Sequence, residues 1–263
     1  MNKIYCLFKS IFYFIYEVPM LRFKRLTNKI NYENNNPLIS IIIATYNRSE
    51  ILLNRTLPSI LKQSYTNYEV IIVGDKCIDE TPQLLNNYPD KRVYFLDLKK
   101  RGKYPKNVEQ RWFVQGAKPR NIGLSLAKGD WLMFISDDDI LYPDCLEVLL
   151  KHAISTKSEF VSGGYDTIID GKDQYFPPEP WGPNNIMIGG MPSWLYRSYL
   201  SFFKWNIDSW KKKWDRPIDY DLQLRFIRSG VTFSHIKKSV FFYPPVNGTN
   251  TSGYKGAILS EKL

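Results

Sequence analysis

A chain of 263 residues, 44% of them hydrophobic, is long enough to bury one sizeable core, and a single domain is the simplest count. Its 36 basic and 26 acidic side chains give a formal charge of +10, but six of the bases and only one acid, Glu17, fall in the first 30 residues, so half the excess belongs to one segment. Two histidines, His152 and His235, exclude a histidine-rich metal site or relay, and Cys6, Cys77 and Cys145, odd in number and without ligand spacing, fit a reducing compartment.

Residues 4 to 21 are mostly apolar and aromatic, interrupted by Lys9 and Glu17 and followed by Arg22-Phe23-Lys24-Arg25 instead of a small-residue cleavage site, so no signal peptide is expected. The run is short for a bilayer span but suits an interfacial helix with snorkelling lysines on an anionic membrane surface. An ordinary helix packed on the domain is the alternative. Asn31 to Asn36 reads as a linker, which makes residues 1–36 a segment apart from a domain over 37–245, with a loosely held tail over 246–263.

Leu38 to Ala44 is a continuous apolar run of the kind buried in parallel sheets, and Thr45-Tyr46-Asn47-Arg48-Ser49 turns it into a helix over Glu50 to Gln63. A second strand, Tyr68 to Val73, delivers Gly74-Asp75; a helix over Asp79 to Asn87 and a strand over Val93 to Leu96 follow. Strand and helix alternate, which predicts an α/β fold whose central sheet is mostly parallel, with helices on both faces and ligands at the carboxyl ends of the strands. Lys99 to Gln115 reads as a long, basic loop, a mobile or binding segment. Lys118-Pro119-Arg120-Asn121 opens a helix that Gly129 is expected to cap, and its basic start with free backbone donors suits an anion.

Trp131 to Ile135 is a buried strand that runs, through Ser136, into Asp137, Asp138 and Asp139. Three adjacent carboxylates repel one another unless a cation sits among them, and Mg²⁺ or Mn²⁺ prefers such oxygen ligands. A solvated acidic turn before the helix over Pro143 to Ser155 is the alternative.

Phe160 to Ile169 is a strand turned by Asp170-Gly171-Lys172-Asp173, whereas Phe176 to Met191 shows little regular signal. Of Trp181, Trp194, Trp205, Trp210 and Trp214, one or two are expected to touch ligand and the rest to pack. A helix opens at Pro217-Ile218-Asp219 and closes at Gly230; Asp221 and Arg225, one turn apart, should pair on its surface. Thr232 to Tyr243 is a last strand, read as an edge.

Four blocks carry a resemblance to the family 2 glycosyltransferases, which have the GT-A fold. They are Ile39 to Arg48; Val70 to Thr81; Pro119-Arg120-Asn121-Ile122-Gly123 running into the acidic triplet and Pro143-Asp144; and Ile218-Asp219-Tyr220-Asp221-Leu222 with Arg225. The resemblance implies a single GT-A domain with a nucleotide-sugar half over 37–140 and a smaller acceptor-side half over 141–245. It implies that Ala44, Thr45, Tyr46 and Asn47 line the nucleoside pocket, with Tyr46 stacking on the base, and that Asp75 binds base or ribose. Arg120 and Asp137 would face the donor, Asp138 and Asp139 would hold Mn²⁺ or Mg²⁺ on its diphosphate, and Asp219 would be the catalytic base. Ser136 stands where the family's Asp-x-Asp begins, which leaves the choice among Asp137, Asp138 and Asp139 open. Gln110-Arg111-Trp112 resembles part of a processive-synthase signature, but that signature belongs after the catalytic base.

The implied function is inverting, metal-dependent transfer from a nucleoside-diphosphate sugar to a hydroxyl of a glycan or lipid-linked acceptor, in the cytoplasm or peripherally on the membrane's cytosolic face. A sugar-1-phosphate nucleotidyltransferase is the rival enzyme, but Ala44-Thr45-Tyr46-Asn47 is not its glycine-rich, arginine-bearing loop. A nicotinamide enzyme lacks its Gly-x-Gly-x-x-Gly turn. A non-catalytic membrane-docked protein or a nucleic-acid binder is the other class; beyond residue 30 the surplus shrinks to 30 bases against 25 acids, so no nucleic-acid partner is expected.

Overall fold

The structure, a computed structural model, describes residues 2–28, 34, 36–182, 184–214, 216–246, 249–252 and 256. Most of the expected linker over 31–36 and most of the tail after 246 lie outside the described residues. Three parallel strands, β1 (Ile39–Thr45), β2 (Tyr68–Gly74) and β3 (Val93–Asp97), join β4 (Trp131–Ser136) in the order β3-β2-β1-β4. Their side chains alternate between two apolar layers. Ile41, Ile43, Val70, Ile72, Met133 and Ile135 pack on one face, and Ile42, Ile71, Val73, Leu132 and Phe134 on the other. Burial on both faces is why these segments read as unbroken apolar runs. The register pairs Thr45 with Gly74 and Ala44 with Ser136, so three strands end at one level.

Helical segments cover both layers. After β1 come α2 (Ser49–Ile51), a π turn (Leu52–Thr56) and α3 (Leu57–Leu61). The wide turn falls just before Pro58, which has no N–H for the carbonyl one α-turn earlier. The segment α4 (Thr81–Leu85) is shorter than expected. The loop expected over Lys99 to Gln115 contains a helix, α5 (Val108–Val114), started by Asn107, whose side chain accepts the Gln110 N–H at 3.0 Å. Then come α6 (Ala117–Leu126) and, beyond β4 and the two-residue β5 (Ile140–Leu141), α7 (Cys145–Ser155).

Gly129 does not cap α6, which ends at Ala127 with extended backbone. A Cβ on Gly129 would lie 2.7 Å from the Ser40 nitrogen and 2.8 Å from the Leu38 carbonyl oxygen, both backbone atoms at the start of β1. Gly129→Ala is therefore expected to cost roughly 1–3 kcal/mol, read as a lowered urea midpoint.

The second half is mixed. β6 (Phe160–Ile169) forms a hairpin with β7 (Lys172–Phe176), and the region read as irregular holds a second hairpin, β8 (Glu179–Trp181) with β9 (Ile186–Ile188). β10 (Leu195–Arg197) lies antiparallel between β4 and β6 and joins the two halves into one sheet. After α8 (Ile218–Ser229), β11 (Phe233–Tyr243) runs parallel to β6; β5 covers its other side at Phe241 and Phe242, so the strand is interior at that end and an edge over the rest of its length. Among the described residues nine strands form this sheet. Trp194 and Trp205 are core residues, Trp214 is exposed, and Trp181 packs on Tyr220 at 4.5 Å between ring centroids.

The first helix, α1 (Asn2–Thr27), crosses α8 and corrects one expectation. Asp221 and Arg225 do pair, at 2.9 Å, but they are buried, because α1 lies over them and adds Glu17 to the same guanidinium. Asn206 and Lys212 donate to the other Asp221 oxygen at 3.1 and 3.0 Å.

Candidate active site

The acidic run lies at the carboxyl end of β4, in reach of the turn that follows β1. The Thr45 hydroxyl donates to Asp137 Oδ2 at 2.7 Å, and Arg48 Nη1 donates to Asp138 Oδ2 at 2.5 Å and to Asp137 Oδ1 at 3.4 Å. The Ser136 N–H donates to Asp139 Oδ2 at 3.3 Å, while Asp139 Oδ1 is buried without a partner. Burial pushes the carboxyls of Asp137 and Asp139 up, and the charge of Asp138 adds to both shifts. Arg48 thus pairs with two of three adjacent acids, and the unused buried oxygen of the third, Asp139, fits a hard divalent cation. Among the described residues no group of three or more His, Cys, Asp or Glu side chains converges as a ready-made cage, so a bound ligand would have to complete the coordination.

Arg120 links this cluster to α8. Gly116, left-handed at φ 77°, turns the chain into α6, and Arg120 Nη1 donates back to the Gln115 carbonyl at 3.1 Å, leaving a buried Nε without a partner. Burial lowers the pKa of Arg120, and the nearby charges of Asp219, Asp137 and Asp139 oppose that shift. Asp219, in the first turn of α8, accepts the Tyr220 N–H at 3.0 Å; burial raises its pKa, and Arg120 acts against the rise. The Tyr243 phenol, at the end of β11, is pushed up by burial and then by Asp139, Asp138 and Asp219. Strand β4 and helix α8, some 80 residues apart in the chain, thus bring Asp219 and the acidic run around one arginine and one tyrosine.

A second group lies at the ends of β1 and β2. Asp75 is buried and accepts from the Tyr104 hydroxyl at 2.5 Å and the Gly102 N–H at 2.8 Å. The Arg101 guanidinium lies 3.5 Å from the Tyr46 ring centroid, and Lys118 donates to the Lys100 carbonyl at 2.5 Å. Residues 100–104 therefore form a strap across Tyr46 and Asp75. Asn47 is left-handed at φ 53°, a conformation Asn tolerates, and its side-chain oxygen accepts the Ile78 N–H at 2.8 Å, tying the two turns together. Ala44 is partly exposed at the end of β1. Arg48 closes a block that carries the family resemblance but received no role from it, and Arg101, Tyr104 and Tyr243 have no sequence signal that separates them from other surface bases and phenols. Only the basic character of the loop over 99–115 pointed toward two of them.

The family model described as "Glycosyl transferase family 2" matches residues 40–210. An uncharacterized glycosyltransferase of Haemophilus influenzae is 38% identical over 136 residues, 50% of this chain and 48% of its own length. The chain thus spans about half of that relative. Among solved structures, Staphylococcus aureus TarS in complex with UDP-GlcNAc aligns with a TM-score of 0.60 at 18% identity, covering 81% of this chain and 60% of that one. The mannosyltransferase PcManGT from Pyrobaculum calidifontis, in complex with GDP-Man and Mn²⁺, aligns with a TM-score of 0.59 at 15% identity, covering 88% and 65%.

Proposed function

Since the chain belongs to glycosyl transferase family 2 and shares the GT-A fold of its structural neighbours, we propose that it transfers a glycosyl group from a nucleoside-diphosphate sugar to an acceptor hydroxyl, with inversion. The observation that carries this reading is the acidic run at the carboxyl end of β4, bonded by Thr45 and Arg48, with Asp219 and the run both within electrostatic reach of Arg120. In this reading, Ala44, Thr45, Tyr46, Asn47 and Asp75 receive the nucleoside, Asp137 and Arg120 face the diphosphate side, and Asp138 and Asp139 would hold Mn²⁺ or Mg²⁺. When bound, the cation offsets charge on the departing diphosphate.

Asp219 accepts the acceptor's hydroxyl proton as the oxygen attacks the anomeric carbon, and the bond from that carbon to the β-phosphate oxygen breaks on the opposite face. Its raised pKa makes it a stronger base than an exposed carboxylate. Arg120 is a positive charge that acts on Asp219 and on Asp137 and Asp139 alike, and Arg48 holds two acids of the run in place. Acceptors on a glycan or a lipid carrier suit the reading, with a lipid carrier setting the reaction at the cytosolic face of a membrane.

The test is a screen of nucleotide sugars for hydrolysis and thermal stabilisation with and without Mn²⁺. A matching nucleotide at a hundredfold over Kd should raise Tm by roughly 5 °C or more. Asp138→Ala should abolish the Mn²⁺-dependent part of that rise while leaving the apoprotein's Tm nearly unchanged. Retention of the full rise by the variant would remove Asp138 from the metal site.

A further inference from the structure

The helix α1 is inside out for a protein surrounded by water. At helical spacing, Phe8, Ile11, Phe12, Ile15, Phe23 and Leu26 share one face and are all exposed, Phe8 and Ile15 by 66% and Leu26 by 85%. The opposite face turns charge toward the domain: Lys9 pairs with Asp208 at 2.7 Å, Glu17 with Arg225, and Arg25 with Glu159 at 2.6 Å. Ion pairs and the buried Leu21 hold the helix down, while an aromatic and aliphatic stripe, interrupted at Pro19 and Arg22, is left outside. Such a stripe on one helix marks a surface meant for a nonaqueous partner.

Charge selects the partner. The sole acid of the first 30 residues, Glu17, is buried beneath the helix, and Arg22 stands on the outward face among the apolar residues. Lys9 and Arg25 are neutralised on the inner face by Asp208 and Glu159, so Arg22 is the base the outward face presents; a second copy of this chain would bring the same positive charge to a shared interface, whereas anionic lipid headgroups complement it. No helix among the described residues is long and apolar enough to cross a membrane. At about 1.5 Å per residue, 26 residues give a helix about 39 Å long that can lie along a surface.

We propose that the outward face of α1 is a docking surface for an anionic lipid bilayer, with the helix in the plane of the headgroups. Because its inner face is ion-paired to α8, docking also fixes the orientation of the domain, and of Asp219, to the membrane. The inference does not depend on which reaction the site performs.

The experiment is co-sedimentation of the full chain with phosphatidylcholine vesicles with and without phosphatidylglycerol, comparing wild type with a Phe12→Ser, Ile15→Ser double variant. Both substituted side chains are exposed, so circular dichroism and Tm should match wild type. Wild type should bind the anionic vesicles, lose most of that binding at high salt, and exceed the variant by roughly tenfold or more in partition coefficient. Equal partition of the two proteins would overturn the proposal. So would a wild-type dimer that the double substitution dissolves, without vesicle binding, since the face would then belong to a second copy.

Discussion

Asp219→Asn is expected to lower kcat by roughly 10²–10⁴-fold with the Kd for nucleoside diphosphate unchanged. The amide keeps the size of the side chain, its acceptor oxygen for the Tyr220 N–H, and hence the first turn of α8. It cannot take a proton. Burial raises the pKa of the carboxyl, so the acid limb of the wild-type kcat profile should lie above the ordinary carboxylate range: activity is lost as pH falls through the raised pKa and restored as it climbs. Near-normal turnover by the variant, with donor binding intact, would sink the assignment of the base.

The largest loss of stability is expected from Arg225→Leu. This guanidinium serves two carboxylates, Asp221 and Glu17, in a site where all three groups are buried. Removing it leaves buried charge with only Lys212 and Asn206 to answer it, and breaking a buried pair in this way costs roughly 3–5 kcal/mol. Glu17→Gln should cost far less. Burial raises the Glu17 carboxyl to about 7 against the pull of Arg225, so near neutral pH the side chain is already half protonated. Between the ordinary carboxylate range and about 7 the folded state binds more protons than the unfolded one, and this residue makes the protein less stable as pH rises through that window. Urea midpoints at pH 6 and pH 8 measure the slope, which Glu17→Gln should flatten. An unchanged slope would show that Glu17 is not its source.

The parallel half of the sheet was legible because burial on both faces leaves a direct trace, an unbroken apolar run that ends where the site begins. Asp75 and the Asp137 to Asp139 run could be assigned to strand ends on that ground alone. The second half was harder to read. β8, β9 and β10 are three residues each, too short for periodicity to register; β8 and β9 pair only with each other, and the place of β10 is decided by β4 and β6 alongside. Whether Asp221 and Arg225 meet water depended on a helix 200 residues away in the chain, and no spacing within α8 encodes that. Gly129 was misread because a helix cap and a close backbone approach ask for the same residue. Arg48, Tyr104 and Tyr243 gain their meaning only from neighbours brought by folding, although Asn107 ahead of Gln110 was a readable helix start that the basic composition of its loop obscured.

The strap over Tyr46 and Asp75 would have a kinetic consequence under the proposed function. Arg101 lies on the Tyr46 ring, and Tyr104 with Gly102 takes up the Asp75 carboxylate, so if those two residues receive the nucleoside, the strap and the nucleoside compete for the same groups. Entry then waits on opening: in stopped-flow mixing the observed rate should level off with nucleotide concentration at the opening rate instead of rising linearly. Only the fraction of molecules with the strap lifted is competent, which weakens the apparent affinity by that fraction. Tyr104→Phe, which frees one Asp75 oxygen, should lift the plateau.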